Sequence, residues 1–138
     1  MKSIWIYRFS LLFSFVLFDL LITLISIKSP IEEGNVLVRA FMGFFGVYLG
    51  LALFGCFIMI FLFFVLSFCK LLLGNMDKWA SIIISFVVDV CFGWFVAGLH
   101  FVGGTSWFWL APDLARHCLG AGLYLMVLYL FQAYISTV

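Results

Sequence analysis

Two carboxylates, Asp19 and Asp89, and one imidazole, His100, stand inside runs of Phe, Val, Leu and Ile. An ionisable group in hydrocarbon is costly, so such residues face a protein interior, a partner or water. In that setting a carboxylate can carry a proton, a histidine can exchange one, and the two together suit Zn, Cu or Fe. At about 100° per helical residue, Arg8 and Asp19, eleven apart, fall within about 20° of one face. Thr23, one turn after Asp19, and Ser26 lie close to that face. Farther on, Ser81, Ser85, Asp89 and Gly93 form an i, i+4 stripe, and His100, eleven beyond Asp89, returns to it. Two otherwise apolar helices thus carry narrow polar seams. The seams are expected to face each other, the remaining helices or a partner protein.

A second polar group gathers at helix ends: Glu33, Asn35, Arg39 and Arg116, with Glu32, Asp113 and His117. If the first and third helices both run outward, Asp19 falls between the levels of His100 and Asp89, and this second group lies at the same outer end. The blander roles are buried hydrogen bonding for the aspartates, snorkelling for His100 and interfacial anchoring for Arg39 and Arg116. No HExxH, GxSxG, GxGxxG or P-loop pattern occurs, and no metal site is expected. The four cysteines, Cys56, Cys69, Cys91 and Cys118, show no CxxC or Cys/His spacing and read as buried free thiols.

The elements that must position these groups follow from composition. The chain has 138 residues, 67% hydrophobic and 9% charged, with mean hydropathy +1.32. A soluble domain carries about 25% charged residues, so too little polar material exists to cover a water-facing surface. An all-α integral membrane bundle is the class that fits. A spanning helix needs about 20 mostly apolar residues, and four segments qualify, at 4–27, 38–69, 79–102 and 117–138. They make a single four-helix transmembrane domain covering 1–138. The long second segment is expected to tilt or protrude. Lys2 and Arg8 before an apolar stretch could suggest a signal peptide, but Asp19 interrupts the stretch and no small-x-small site follows before Lys28, so a retained helix is expected.

With four spans, Lys2, Arg8, Lys70 and Lys78 share one side, and Lys28, Arg39 and Arg116 the other. The bias gives cytoplasmic N- and C-termini. Net charge is +1, which offers no field for nucleic acid. Gly43, Gly46 and Gly50 read as one small-residue face of the second helix, suited to close helix packing. Trp107, Phe108 and Trp109 read as an aromatic belt or a short re-entrant turn.

The stretch FDLLITLISIKSPIEEGNVLVR resembles the opening of a family of small archaeal and bacterial multi-span membrane proteins of unknown function. Their first helix carries Asp-x3-Thr, followed after a short loop by Glu-x-Asn-Pro. Asp19, Thr23, Glu33 and Asn35 stand in that pattern, with Val36 in place of the proline. The family has no established activity. The resemblance implies only that the Asp/Thr and Glu/Asn pairs act together at the outer end.

Three functions are expected from these features, in order. The first is a small non-catalytic subunit that packs against and stabilises a larger membrane complex, with lipids and other integral membrane subunits as partners. The second is a homo-oligomeric proton-coupled transporter or channel using Asp19. The third is a membrane-embedded enzyme with an outer-leaflet polar site. Bound lipid is expected, and no cofactor.

Overall fold

In a chain this apolar the backbone must satisfy its own N–H and C=O groups, and helices do so within one segment. The structure, a computed structural model, describes residues 2–137 and is helical almost throughout. Helix α1 covers Lys2–Ser26, α2 Val36–Phe45, α3 Val47–Gly74, α4 Lys78–Phe92, α5 Leu99–Thr105 and α6 Asp113–Thr137. A 3₁₀ turn at Pro30–Glu32 precedes α2, and a π-helical segment at Gly93–Gly98 joins α4 to α5 in one continuous third span, Lys78–Thr105. Among the described residues four helices are long and apolar enough to cross a membrane: Ile4–Ser26, Val47–Gly74, Lys78–Thr105 and Asp113–Ile135. The chain is thus a multi-pass, all-α membrane bundle.

The expected continuous helix at 38–69 is corrected to two helices. Gly46 adopts φ +81° and ψ 162°, a backbone conformation reserved for glycine, and α2 stops there. Helix α2 then folds back on the first turns of α3. Phe41 meets Phe54 at 5.7 Å between ring centroids, and Val38, Met42, Leu51 and Phe54 form a small core with Ile27. The turn needs Gly50 as well: a Cβ there would sit 2.6 Å from the backbone of Met42. At ten residues, about 15 Å, α2 is too short to cross the hydrocarbon. Gly43, Gly46 and Gly50 therefore do not share a helix face. Gly46 is the break, Gly50 is the contact, and Gly43 has open space beside it.

The other boundaries shift less. The first helix ends at Ser26, the second span runs on to Gly74, the third to Thr105, and the fourth begins at Asp113. The last residue of the expected fourth helix, Val138, lies outside the described residues. Asn35 caps α2, accepting from Leu37 N and Val38 N, and Asp77 caps α4, accepting from Trp79 N and Ala80 N.

The main core is built from Leu12 and Val16 of α1, Leu62 and Leu66 of α3, Phe92 and Ala97 of the third span, and Tyr124 and Leu128 of α6. Helix α1 is the central element. It packs against α3 on one side and against α5, the π segment and α6 on the other. The exterior is a continuous surface of Phe, Leu and Ile, as lipid contact requires. Of the cysteines, Cys56, Cys91 and Cys118 lie on that exterior rather than in the core, and Cys69 is half-buried.

Candidate functional site

The two polar seams close on each other inside the chain. Arg8 donates from Nε to Asp89 Oδ1 at 2.7 Å and from Nη2 to Oδ2 at 2.8 Å, a bidentate pair. The same Nη2 reaches Ser85 Oγ at 2.6 Å, Tyr129 donates its hydroxyl to Asp89 Oδ2 at 3.3 Å, and the guanidinium lies 4.4 Å from the Trp5 ring. Arg8 is 3% exposed and Asp89 1%. This pair is a sealed structural contact, with the acid's oxygens occupied by three donors.

Eleven residues along each helix lies the second pair. His100 Nδ1 and Asp19 Oδ2 are 2.7 Å apart. Thr23 donates to Asp19 Oδ1 at 3.4 Å, the outer limit for a hydrogen bond, and Trp107 Nε1 donates to Thr23 Oγ1 at 3.1 Å. Trp107 thus turns inward, while Phe108, Trp109 and Leu110 stay exposed, so the expected aromatic belt is split. The fit is close because Gly103 faces the carboxylate. A Cβ there would lie 2.6 Å from Asp19 Oδ1. With Nδ1 held by Asp19, the tautomer that donates to the carboxylate leaves Nε2 with a lone pair for anything beside it.

Beside it is a cavity of about 660 Å³. Its polar lining is made by Asp19, Thr23, His100, Trp107, Glu32, Glu33, Asn35, Asp113 and Arg116. The rest of its lining is largely apolar and includes Phe54, Ile58 and Phe61 of α3 and Phe95, Val96 and Leu99 of the third span. Helix α1 forms the floor.

The return of α2 along α3 explains why Glu33 and Asn35 reach the cavity. Their loop is folded back beside Asp19 rather than left beyond the end of α1. Glu33 accepts from Asn35 N at 2.8 Å and is half-buried. Burial pushes its pKa above the usual 4.5. The hydrogen bond from Asn35 N opposes that rise, the nearby Asp19 charge adds to it, and Arg39 opposes it again. Arg116 is 5% exposed, donates from Nη2 to Asp113, and has Nε and Nη1 buried without a partner among the described residues.

Of the residues marked out by sequence, Asp19, Thr23, His100, Glu33, Asn35 and Arg116 come together at the cavity, and Asp89 joins Arg8 elsewhere. Arg39 does not join them: it is exposed and donates to Gly34 O at 3.5 Å. Trp107 went unmarked as a site residue, although its proximity to a helix-terminal loop was visible. Among the described residues no group of three His, Cys, Asp or Glu side chains is arranged to hold a metal ion. No family model, curated protein or solved structure matches the chain.

Proposed function

We propose that this protein binds an amphiphilic lipid inside the membrane and acts on its polar head by proton transfer at Asp19 and His100. The observation that carries the reading is the cavity itself, whose lining joins the dyad and other polar side chains to apolar walls from α3 and the third span. An acyl or isoprenoid chain can lie against these apolar walls with its head at the dyad. There His100 Nε2 takes a proton from a hydroxyl or a water, and Asp19 holds the ring and balances the imidazolium that forms. General-base assistance of this kind contributes about 10²–10⁴ in rate.

The other expected roles draw less support. A proton-coupled transporter needs a path onward from Asp19, yet between the dyad and the Arg8–Asp89 pair lie Leu12, Ala97 and Leu128, each closed to solvent. An accessory subunit would use its seams to complete a partner's polar groups, and here the seams pair with each other.

The test is lipid analysis of the protein purified from membranes, followed by incubation with total lipid extract. The wild type should retain a defined lipid and convert a lipid species, and His100→Ala and Asp19→Asn should abolish the conversion. A wild type that carries no lipid, or conversion that survives both substitutions, overturns the reading.

A further inference from the structure

The cavity holds an unusual balance of polar groups. Among the described residues four carboxylates line it, Asp19, Glu32, Glu33 and Asp113, against one permanent cation, Arg116. Asp19 is engaged by His100 and Asp113 by Arg116. Glu32 accepts from Lys28 N and Glu33 from Asn35 N, each through one oxygen, so each keeps acceptor capacity. Arg116 is more than nine-tenths buried, and its Nε and Nη1 meet no acceptor among the described residues. Buried polar groups are normally satisfied, and a charged donor left unpaired is costly. Arg116, which lines the cavity, therefore has donors to spare, and the carboxylates can still take donors.

Each class of head group answers this differently. An anionic head would supply the acceptor, but the surplus of carboxylates repels it. A cationic head would suit the carboxylates, but it has no lone pair for Arg116 and adds a like charge beside it. A hydroxyl does both, since it accepts from Arg116 and donates to a carboxylate. We infer that the ligand of this cavity is an amphiphile with an uncharged, hydroxyl-bearing head, a glycerol or sugar, held between Arg116 and the free carboxylate oxygens of Glu32 and Glu33. This names the substrate class of the proposed function and rests on that reading.

Three probes with one chain and different heads test it: dodecyl glucoside, dodecyl phosphate and dodecyltrimethylammonium. The protein, held in a polyoxyethylene detergent, is titrated with each, and retained adducts are read by native mass spectrometry. The glucoside should bind most tightly to the wild type. Arg116→Gln and Glu33→Gln should each weaken it by about tenfold or more, the loss of one hydrogen bond to a charged group. Tighter binding of the phosphate or the ammonium overturns the inference and leaves the lipid-binding reading standing. Glucoside binding unchanged in both variants also overturns it. Failure of all three probes to bind overturns the lipid-binding reading itself. The comparison of heads is made on the wild type, so it stands even where a variant fails to fold.

Discussion

Asp19 and His100 meet at 2.7 Å across an offset of 81 residues, and Arg8 and Asp89 meet at 2.7 Å across the same offset. One register thus joins two contacts about 16 Å apart along two parallel helices. The order is crossed, base then acid on α1 against acid then base on the third span. A slip of either helix by one turn would part both pairs and leave four ionisable groups in hydrocarbon. In lipid, apolar surface gives no driving force between helices, so the crossed pairs supply the alignment that a hydrophobic pattern supplies in water.

Breaking the sealed pair should be costly, and replacing it should not. Asp89→Leu or Arg8→Met leaves one buried ion without its partner, at about 3–5 kcal/mol. The double variant removes both charges and should recover most of that loss. Reversible unfolding in mixed micelles, run as a double-mutant cycle, measures the coupling. Simple additivity of the two losses would mean that the pair does not act as a unit.

The first seam was legible in the sequence because a period of 3.6 puts Arg8 over Asp19 along a continuous helix. Between Asp89 and His100, by contrast, the third span passes through the π segment Gly93–Gly98, which that period does not describe. The break at Gly46 was not legible. A glycine within an apolar run reads equally as a packing surface, and hydropathy is continuous from Val36 to Gly74. Two signals pointed the other way: a run too long for the bilayer, and Asn35 poised as a helix cap. Missing that turn placed Glu33, Asn35 and Arg39 together at one end. The returning helix instead sends Glu33 and Asn35 inward and Arg39 outward. The inward turn of Trp107 depends on a partner 84 residues away, Thr23, which no local pattern encodes.

The three glycines near that turn should respond in different ways. Gly46→Ala forces a side chain into a glycine-only region, at about 1–3 kcal/mol. Gly50→Ala drives a methyl into the Met42 backbone and should separate α2 from α3, with a loss of similar size. Gly43→Ala meets open space and should be neutral or slightly stabilising, because alanine is the better helix former. Thermal unfolding of the three variants in detergent tests the pattern. An effect at Gly43 as large as at Gly50 would favour one continuous helix.

Gly103→Ala probes the dyad without touching either partner's chemistry. The added methyl would lie 2.6 Å from Asp19 Oδ1 and must displace the carboxylate. Overpacking of this kind costs about 1–3 kcal/mol. The expected signature is in the imidazole: nitrogen NMR of His100 should lose the strong Nδ1 hydrogen bond in Gly103→Ala and in Asp19→Asn alike. An unchanged His100 spectrum in Gly103→Ala would mean that the close approach does not hold the pair.

Glu33 gives a dependence on pH whose sign can be worked out. Its pKa is raised, by burial first and by Asp19 as well, despite the bond from Asn35 N and the charge of Arg39. A carboxyl with a raised native pKa favours folding most below its unfolded value, near 4.5. That advantage is lost as pH rises through the native value. Above it, the folded chain must ionise a desolvated acid beside Asp19. Glu33→Gln keeps an acceptor for Asn35 N and removes that charge. The variant and the wild type should therefore diverge as pH rises above about 4.5, with the variant the more stable at neutral pH, and should approach each other in acid. Every other group titrates in both proteins, so the difference isolates Glu33. Melting temperatures in detergent from about pH 4 to pH 8 measure it. A wild type that gains on the variant with rising pH would instead place Glu33 in a stabilising ion pair.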